Sequence, residues 1–234
     1  MSDDERLVRV LEKVGRLVQE AETDYAVIGS CGLQAYLSCF YRLPNDLDLV
    51  VPEAGTKRLV LAAQDLGAEF VEQLGRGQLI VDGFPVHLIP SRMAVIDKDV
   101  DHIFTSVDLS DELSSARERR MKLVGAARVP SLRVASLESI LFIEMVRPIY
   151  TGSAMSIALT LRDNDFNDER MSRLLRENPE LGPVLLDRVE RLPAVIRQMT
   201  VLAAADRDPV QDRLCRLARV IRVTADSFAP PPGS

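Results

Sequence analysis

Apolar positions recur along the first 90 residues in two periods. Leu7, Val10, Leu11, Val14, Leu17 and Val18 stand three and four apart, which puts them on one face of a helix, so residues 4–21 are expected to form an amphipathic helix. Tyr25 to Ile28 is a short apolar run that ends at Gly29, and it predicts a buried strand. Cys31 to Tyr41 is expected to be helical and to stop before Pro44-Asn45. Leu47 to Val51 predicts a second strand closed by Pro52, and Lys57 to Leu66 a helix ended by Gly67. From Ala68 to Ile89 the pattern changes to short strands, with Asp82-Gly83 a strong hairpin-turn signal. Residues 92–109 fit neither period. Asp111 to Met121 is expected to be helical, and Val124 to Val134 to form a hairpin turning at Gly125.

The remainder has a helical period. Ser136 is placed to cap a helix running to about Val146, with Pro148 just beyond its end. Asp168 to Glu177 predicts another helix, with Asp168 as its cap, and Pro183 and Pro209 each stand where a helix would begin. The chain is therefore expected to hold an α/β domain, 1–135, and a helical domain, 136–228. The proline-rich 229–234 is expected to be a disordered tail.

Charge narrows the function. The net charge is −6, and residues 1–100 carry all of it, with 10 Lys/Arg against 16 Asp/Glu. An acidic first domain argues against sequence-blind nucleic-acid binding, which needs a basic surface, and fits a site for a cation. Cys31, Cys39 and Cys215 lie outside any CxxC pattern and read as free thiols of a reducing compartment. The start, MSDDER, has no basic region and apolar core of a signal peptide, and no apolar run approaches the roughly 18 residues of a membrane span. A cytoplasmic protein is expected.

The candidate chemistry lies in Ala26-Val-Ile-Gly-Ser-Cys-Gly and Arg42-Leu-Pro-Asn-Asp-Leu-Asp-Leu. Residues two apart on a strand share a face, so Asp46 and Asp48 would project together while Leu47 and Leu49 enter the core. Two such carboxylates repel unless a cation lies between them, and Mg²⁺ takes carboxylate oxygens together with substrate phosphates. Upstream, the chain turns at Gly29-Ser30 from a strand into a helix, where backbone N–H groups can hold a phosphate. A phosphate cradle beside a metal pair points to metal-assisted phosphoryl transfer. Taken singly, a DxD on a strand edge is usually solvated surface and a Gly-Ser after a strand is usually a turn. Their order and spacing favour the functional reading.

Gly29-Ser30 followed by Arg42-x-x-x-Asp46-Leu-Asp48-Leu resembles the signature of the nucleotidyltransferase superfamily. The Arg four residues before the first Asp is similar to the abortive-infection (AbiEii-like) toxin branch and, more loosely, to the small antibiotic nucleotidyltransferases. The resemblance covers residues 20–90 and continues weakly through Val129 to Leu141. It implies a nucleotidyltransferase-type mixed sheet with flanking helices, followed by a helical part. It implies transfer of an NMP from an NTP to a hydroxyl of RNA, a small molecule or a protein. Mg²⁺ would sit on Asp46 and Asp48, the phosphates on Gly29, Ser30 and Arg42, and an antitoxin would be a candidate partner.

The chain departs from the family pattern at three positions. Pro44 stands where a Ser or Thr is usual, His87 where a third carboxylate is expected, and Glu144 where the toxin branch has a Lys. A later family Asp aligns with Asp165. His87 is a candidate general base, because imidazole titrates near neutrality, or else marks lost catalysis. The rival reading is a degenerate member that binds a nucleotide or partner without chemistry. Asp165 and Asp168 also fit a plain role at a helix start. Arg147 and Arg162 are candidates to replace the Lys toward a triphosphate. Arg213, Arg216, Arg219 and Arg222 read as a solvated face opposite Leu214, Leu217 and Ile221 rather than an RNA surface. His102 reads as structural or exposed, and Cys31 as packing.

Overall fold

A computed structural model describes residues 3–38, 43–73, 76–96, 104–121, 129–146, 151–198 and 202–228. The chain runs α1 (Asp3–Glu20), β1 (Ala26–Ile28), α2 (Gly29–Gln34), β2 (Leu47–Val51), α3 (Glu53–Asp65), β3 (Glu69–Gln73), β4 (Arg76–Val81), β5 (Phe84–Pro90), β6 (Arg92–Ile96), β7 (Phe104–Asp108), α4 (Ser110–Ser115), β8 (Arg117–Arg120) and β9 (Ser131–Val134). Five helices follow: α5 (Leu137–Val146), α6 (Thr151–Asp163), α7 (Asp168–Glu177), α8 (Gly182–Arg197) and α9 (Ala204–Asp226). The architecture is a mixed α/β sheet with flanking helices and a helical C-terminal part, as the resemblance implies.

Two compact units divide the chain. One holds Met1–Met93 with Asp108–Ser136, the other Ala94–Val107 with Leu137–Ser234. The first contains a seven-stranded sheet in the order β3-β4-β5-β2-β1-β9-β8. The β1–β9 and β2–β5 pairs are parallel; β1–β2, β3–β4, β4–β5 and β8–β9 are antiparallel. β1 and β2 lie inside the sheet, and every residue of both is buried. The six periodic residues of α1 are each at most 5% exposed. Burying each contributes about 1.5–3 kcal/mol before entropy. β6 and β7 form a separate two-stranded sheet in the stretch where neither period held.

At the β4–β5 turn, Asp82 and Gly83 both take positive φ, 51° and 71°, as a type I′ turn requires. Lys13 Nζ reaches Asp82 Oδ1 at 2.6 Å and Arg6 Nη2 donates to the Asp82 carbonyl at 2.9 Å, so α1 is tied to that turn.

Expectations about three helices are corrected first. The helix expected over 111–121 stops at Ser115, and Arg117–Arg120 pairs with β9 instead. β8 is an edge strand exposed at all four positions, so it has no apolar alternation to announce it. The helix after Gly29 ends at Gln34 rather than near Tyr41. Pro209 lies inside α9 rather than at its start, because residues from Ala204 already form the first turn. So near the helix start, the missing N–H forfeits one backbone bond.

In the second unit α5 is buried at all ten positions and packs against α6, α7 and α8. α7 spans Asp168–Glu177 as predicted, but Asn167 is its cap, its side chain accepting from Arg170 N at 3.1 Å. No helix among the described residues is long and apolar enough to cross a membrane.

Candidate functional site

The sheet register assembles the site. Ile28 of β1 lies opposite Asp48 of β2, and Asp48 opposite His87 of β5. Side chains in one such row point to one face, so Asp48 and His87 emerge as neighbours although 39 residues separate them. His87 Nδ1 stands 2.9 Å from Asp48 Oδ1. Asp46, just before β2, completes the group: one ligand atom from each of Asp46, Asp48 and His87 lies within 4.8 Å of the others. Asp48 is buried, and Asp46 and His87 are half-buried.

Gly29 is required twice over. Its φ is +63°, in the left-handed region that disfavours side chains. A Cβ built there would also lie 2.2 Å from Asp48 Oδ2. The backbone that leaves β1 thus runs directly against the Asp48 carboxylate. Ser30 follows, half-buried, in the first turn of α2.

Cys31 holds Asp46 from behind. Its thiol is buried and donates to the Asp46 carbonyl at 3.2 Å. Burial first, and then the negative charges of Asp48 and Asp46, push its pKa well above the ordinary thiol value. The thiol stays protonated, which suits a donor and excludes a thiolate nucleophile.

Two acidic oxygens and one imidazole nitrogen form a mixed donor set. The carboxylates suit Mg²⁺, whereas the nitrogen suits first-row transition metals. Pro44 is buried beside this segment.

Other residues singled out from the sequence belong to the second unit or lie outside the described residues. Asp165 belongs to the second unit and is exposed, where Arg216 Nη1 donates to its Oδ1 at 2.8 Å. Arg216 Nε also donates to Asp168 Oδ1 at 2.8 Å, and its guanidinium lies 4.2 Å from the centre of the Phe166 ring. Arg213 Nη1 donates to the Leu161 carbonyl at 2.6 Å, and Arg222 pairs with Glu190. Three of the four α9 arginines singled out from the sequence, Arg213, Arg216 and Arg222, therefore bind α9 to its neighbours, while Leu214, Leu217 and Ile221 are buried. Glu144 is buried in α5 of the second unit, and Arg162 pairs with Asp163 at 2.6 Å. Arg42, Cys39, His102, Gly125, Arg147 and the tail 229–234 lie outside the described residues.

No protein-family model and no curated protein matches the sequence. Among solved structures, the chain is similar to the antibiotic-resistance factor ANT(2″)-Ia, with 14% identity, 96% of this chain and 92% of that chain covered, and a TM-score of 0.45. It is similar to the lincosamide antibiotic adenylyltransferase LnuA in its lincomycin-bound form, with 12% identity, coverage of 65% and 94%, and a TM-score of 0.46. A proposed nucleotidyltransferase of Thermotoga maritima shares 22% identity over 59% of this chain and 82% of its own, with a TM-score of 0.38. All three scores fall below 0.5, and the functional reading rests on the site's own geometry.

Proposed function

We propose that the chain is a nucleotidyltransferase that moves an NMP from an NTP to a hydroxyl of RNA, a small molecule or a protein. One observation carries the reading: the convergence of Asp46, Asp48 and His87 to within 4.8 Å. Gly29, whose missing side chain lets the turn after β1 pass directly against Asp48, borders the group.

Asp46 and Asp48 would hold a divalent cation, with Mg²⁺ the ion expected from the resemblance. Such an ion, when bound, draws charge from the triphosphate and orients it for in-line attack. Asp48 is pre-aimed by its place in a buried strand and by the contact with His87. Cys31 fixes the backbone of Asp46. The turn amides and hydroxyl at Gly29-Ser30 would receive β- and γ-phosphate oxygens, with Arg42 a further phosphate partner. In the reaction an acceptor oxygen bonds to the α-phosphorus, the bond to pyrophosphate breaks, and the acceptor's proton leaves to a base.

The test is incorporation of labelled NTP into RNA, lysate protein and small hydroxylated acceptors. Wild type should transfer, and Asp48→Ala, checked for folding by circular dichroism, should not. Equal transfer in the mutant would remove this site as the catalytic centre. NTP binding without transfer in wild type would favour the rival reading, a binding protein without chemistry.

A further inference from the structure

We propose that His87 is a metal ligand and that it makes this a two-carboxylate, one-imidazole centre selective for a first-row transition-metal cation of the Mn²⁺ type over Mg²⁺. The inference rests on the metal-binding reading of Asp46 and Asp48 and names the ion they share.

Mg²⁺ prefers oxygen and holds an imidazole poorly, whereas Mn²⁺, Fe²⁺, Co²⁺ and Zn²⁺ accept nitrogen and carboxylate oxygen together. The nitrogen here is built into the site rather than near it. His87 stands in the same sheet row as Asp48, fixed by the parallel β2–β5 pairing from Leu47↔Val86 to Val51↔Pro90. Register puts the imidazole on the same face of the sheet as the Asp48 carboxylate.

Distance supports the same assignment. Ligand atoms about 2.1 Å from one ion and 90° apart lie about 3.0 Å from each other. The Nδ1–Oδ1 separation is 2.9 Å, a hydrogen-bond distance between the two side chains and also that of two adjacent corners of an octahedron, so an ion can take the bond's place without moving either residue far. The widest separation in the group is no more than 4.8 Å, so a modest turn of the half-exposed Asp46 side chain brings its oxygen onto the same ion. The outer side of His87 and Asp46 stays accessible, which leaves corners for water and for phosphate oxygens.

Cys31 does not join them. Its proton goes to the Asp46 carbonyl, so the set keeps oxygen and nitrogen donors only.

The assignment predicts that the base for the acceptor hydroxyl is not His87. An imidazole bound to the ion through Nδ1 carries its proton on Nε2 and has no lone pair to offer.

The experiment uses the whole chain and Mn²⁺ alone, with no nucleotide. Bound Mn²⁺ is counted by its electron paramagnetic resonance, and electron spin-echo modulation detects a directly bonded imidazole ¹⁴N. The chain has two histidines, so the signal has two possible sources. One Mn²⁺ per chain with nitrogen modulation is expected in wild type and in H102Q. In H87Q the modulation should vanish and Mn²⁺ affinity fall about tenfold or more, while Mg²⁺ affinity changes less than about threefold. Circular dichroism verifies the fold of each variant; if H87Q does not fold, the wild-type and H102Q spectra alone decide. Mn²⁺ bound without nitrogen modulation would overturn the assignment and leave the Asp46–Asp48 metal pair standing, as would equal losses of Mn²⁺ and Mg²⁺ in H87Q. No Mn²⁺ bound at all would overturn both. Nitrogen modulation in a protein that transfers no NMP would uphold the ligand and remove only the enzymatic reading.

Discussion

At the scale of single residues the site is a problem of crowding. Gly29 gives up its side chain so that the turn can pass Asp48, and Gly29→Ala tests this. The substitution meets both a φ of +63° and a contact of 2.2 Å with Asp48 Oδ2. Backbone strain alone costs about 1 kcal/mol, and the carboxylate must also move. The expected result is a folded protein whose divalent-cation affinity drops at least tenfold, read by calorimetry; unchanged affinity would show that Asp48 is not the ligand. Cys31 yields a pH prediction. Its thiol pKa is raised in the folded protein by burial and then by the nearby carboxylates. Below the ordinary thiol pKa both states hold the proton and nothing changes. Above it the unfolded chain ionises while the folded one cannot, so stability should fall as pH rises into the alkaline range. Denaturant midpoints across that range should fall less steeply in Cys31→Ala than in wild type.

At the scale of elements, one arginine joins several pieces. Arg216 of α9 reaches Asp165, Asp168 and the Phe166 ring in the segment that opens α7. Both carboxylates are more than half exposed and Arg216 is one-third exposed, so each pair alone is worth little. Their convergence with the ring contact makes a loss of about 1 kcal/mol the expected cost of Arg216→Ala, or a Tm lowered by about 2–4 °C. A scanning-calorimetry trace coincident with wild type would show that these contacts hold nothing. The same scale explains β8. Arg117–Arg120 has no apolar face, and only pairing to β9 makes it a strand. Helix propensity in that stretch was overridden by a partner that local pattern cannot name.

At the scale of the whole molecule, the net charge of −6 is concentrated in the part of the chain that holds the candidate centre. A triphosphate should therefore bind poorly without a cation to offset two carboxylates. Calorimetry is expected to show NTP binding with Mn²⁺ or Mg²⁺ present and none after chelation, and Asp46→Asn should abolish the metal dependence. Equal NTP affinity with and without the ion would count against a bridge between the carboxylates and the phosphates.

Sequence by itself determined the elements whose periods are local. The face of α1, the buried strands at 26–28 and 47–51, the Asp82-Gly83 turn and the helix from Asp168 to Glu177 follow from apolar spacing and turn chemistry between near neighbours. It also marked Gly29, Asp46 and Asp48, because a strand's two-residue repeat and a glycine at its end are both short-range signals. Tertiary structure alone decided that His87 lies 2.9 Å from Asp48. Parallel pairing of β2 with β5 fixes that contact, and the antiparallel run β3-β4-β5 carries β5 back beside β2. Tertiary structure likewise brought Arg213 and Arg216 of α9 onto a carbonyl and a carboxylate of other helices. Register between distant strands and packing between distant helices are set by the joint burial of many side chains, and no window of neighbouring residues contains that information.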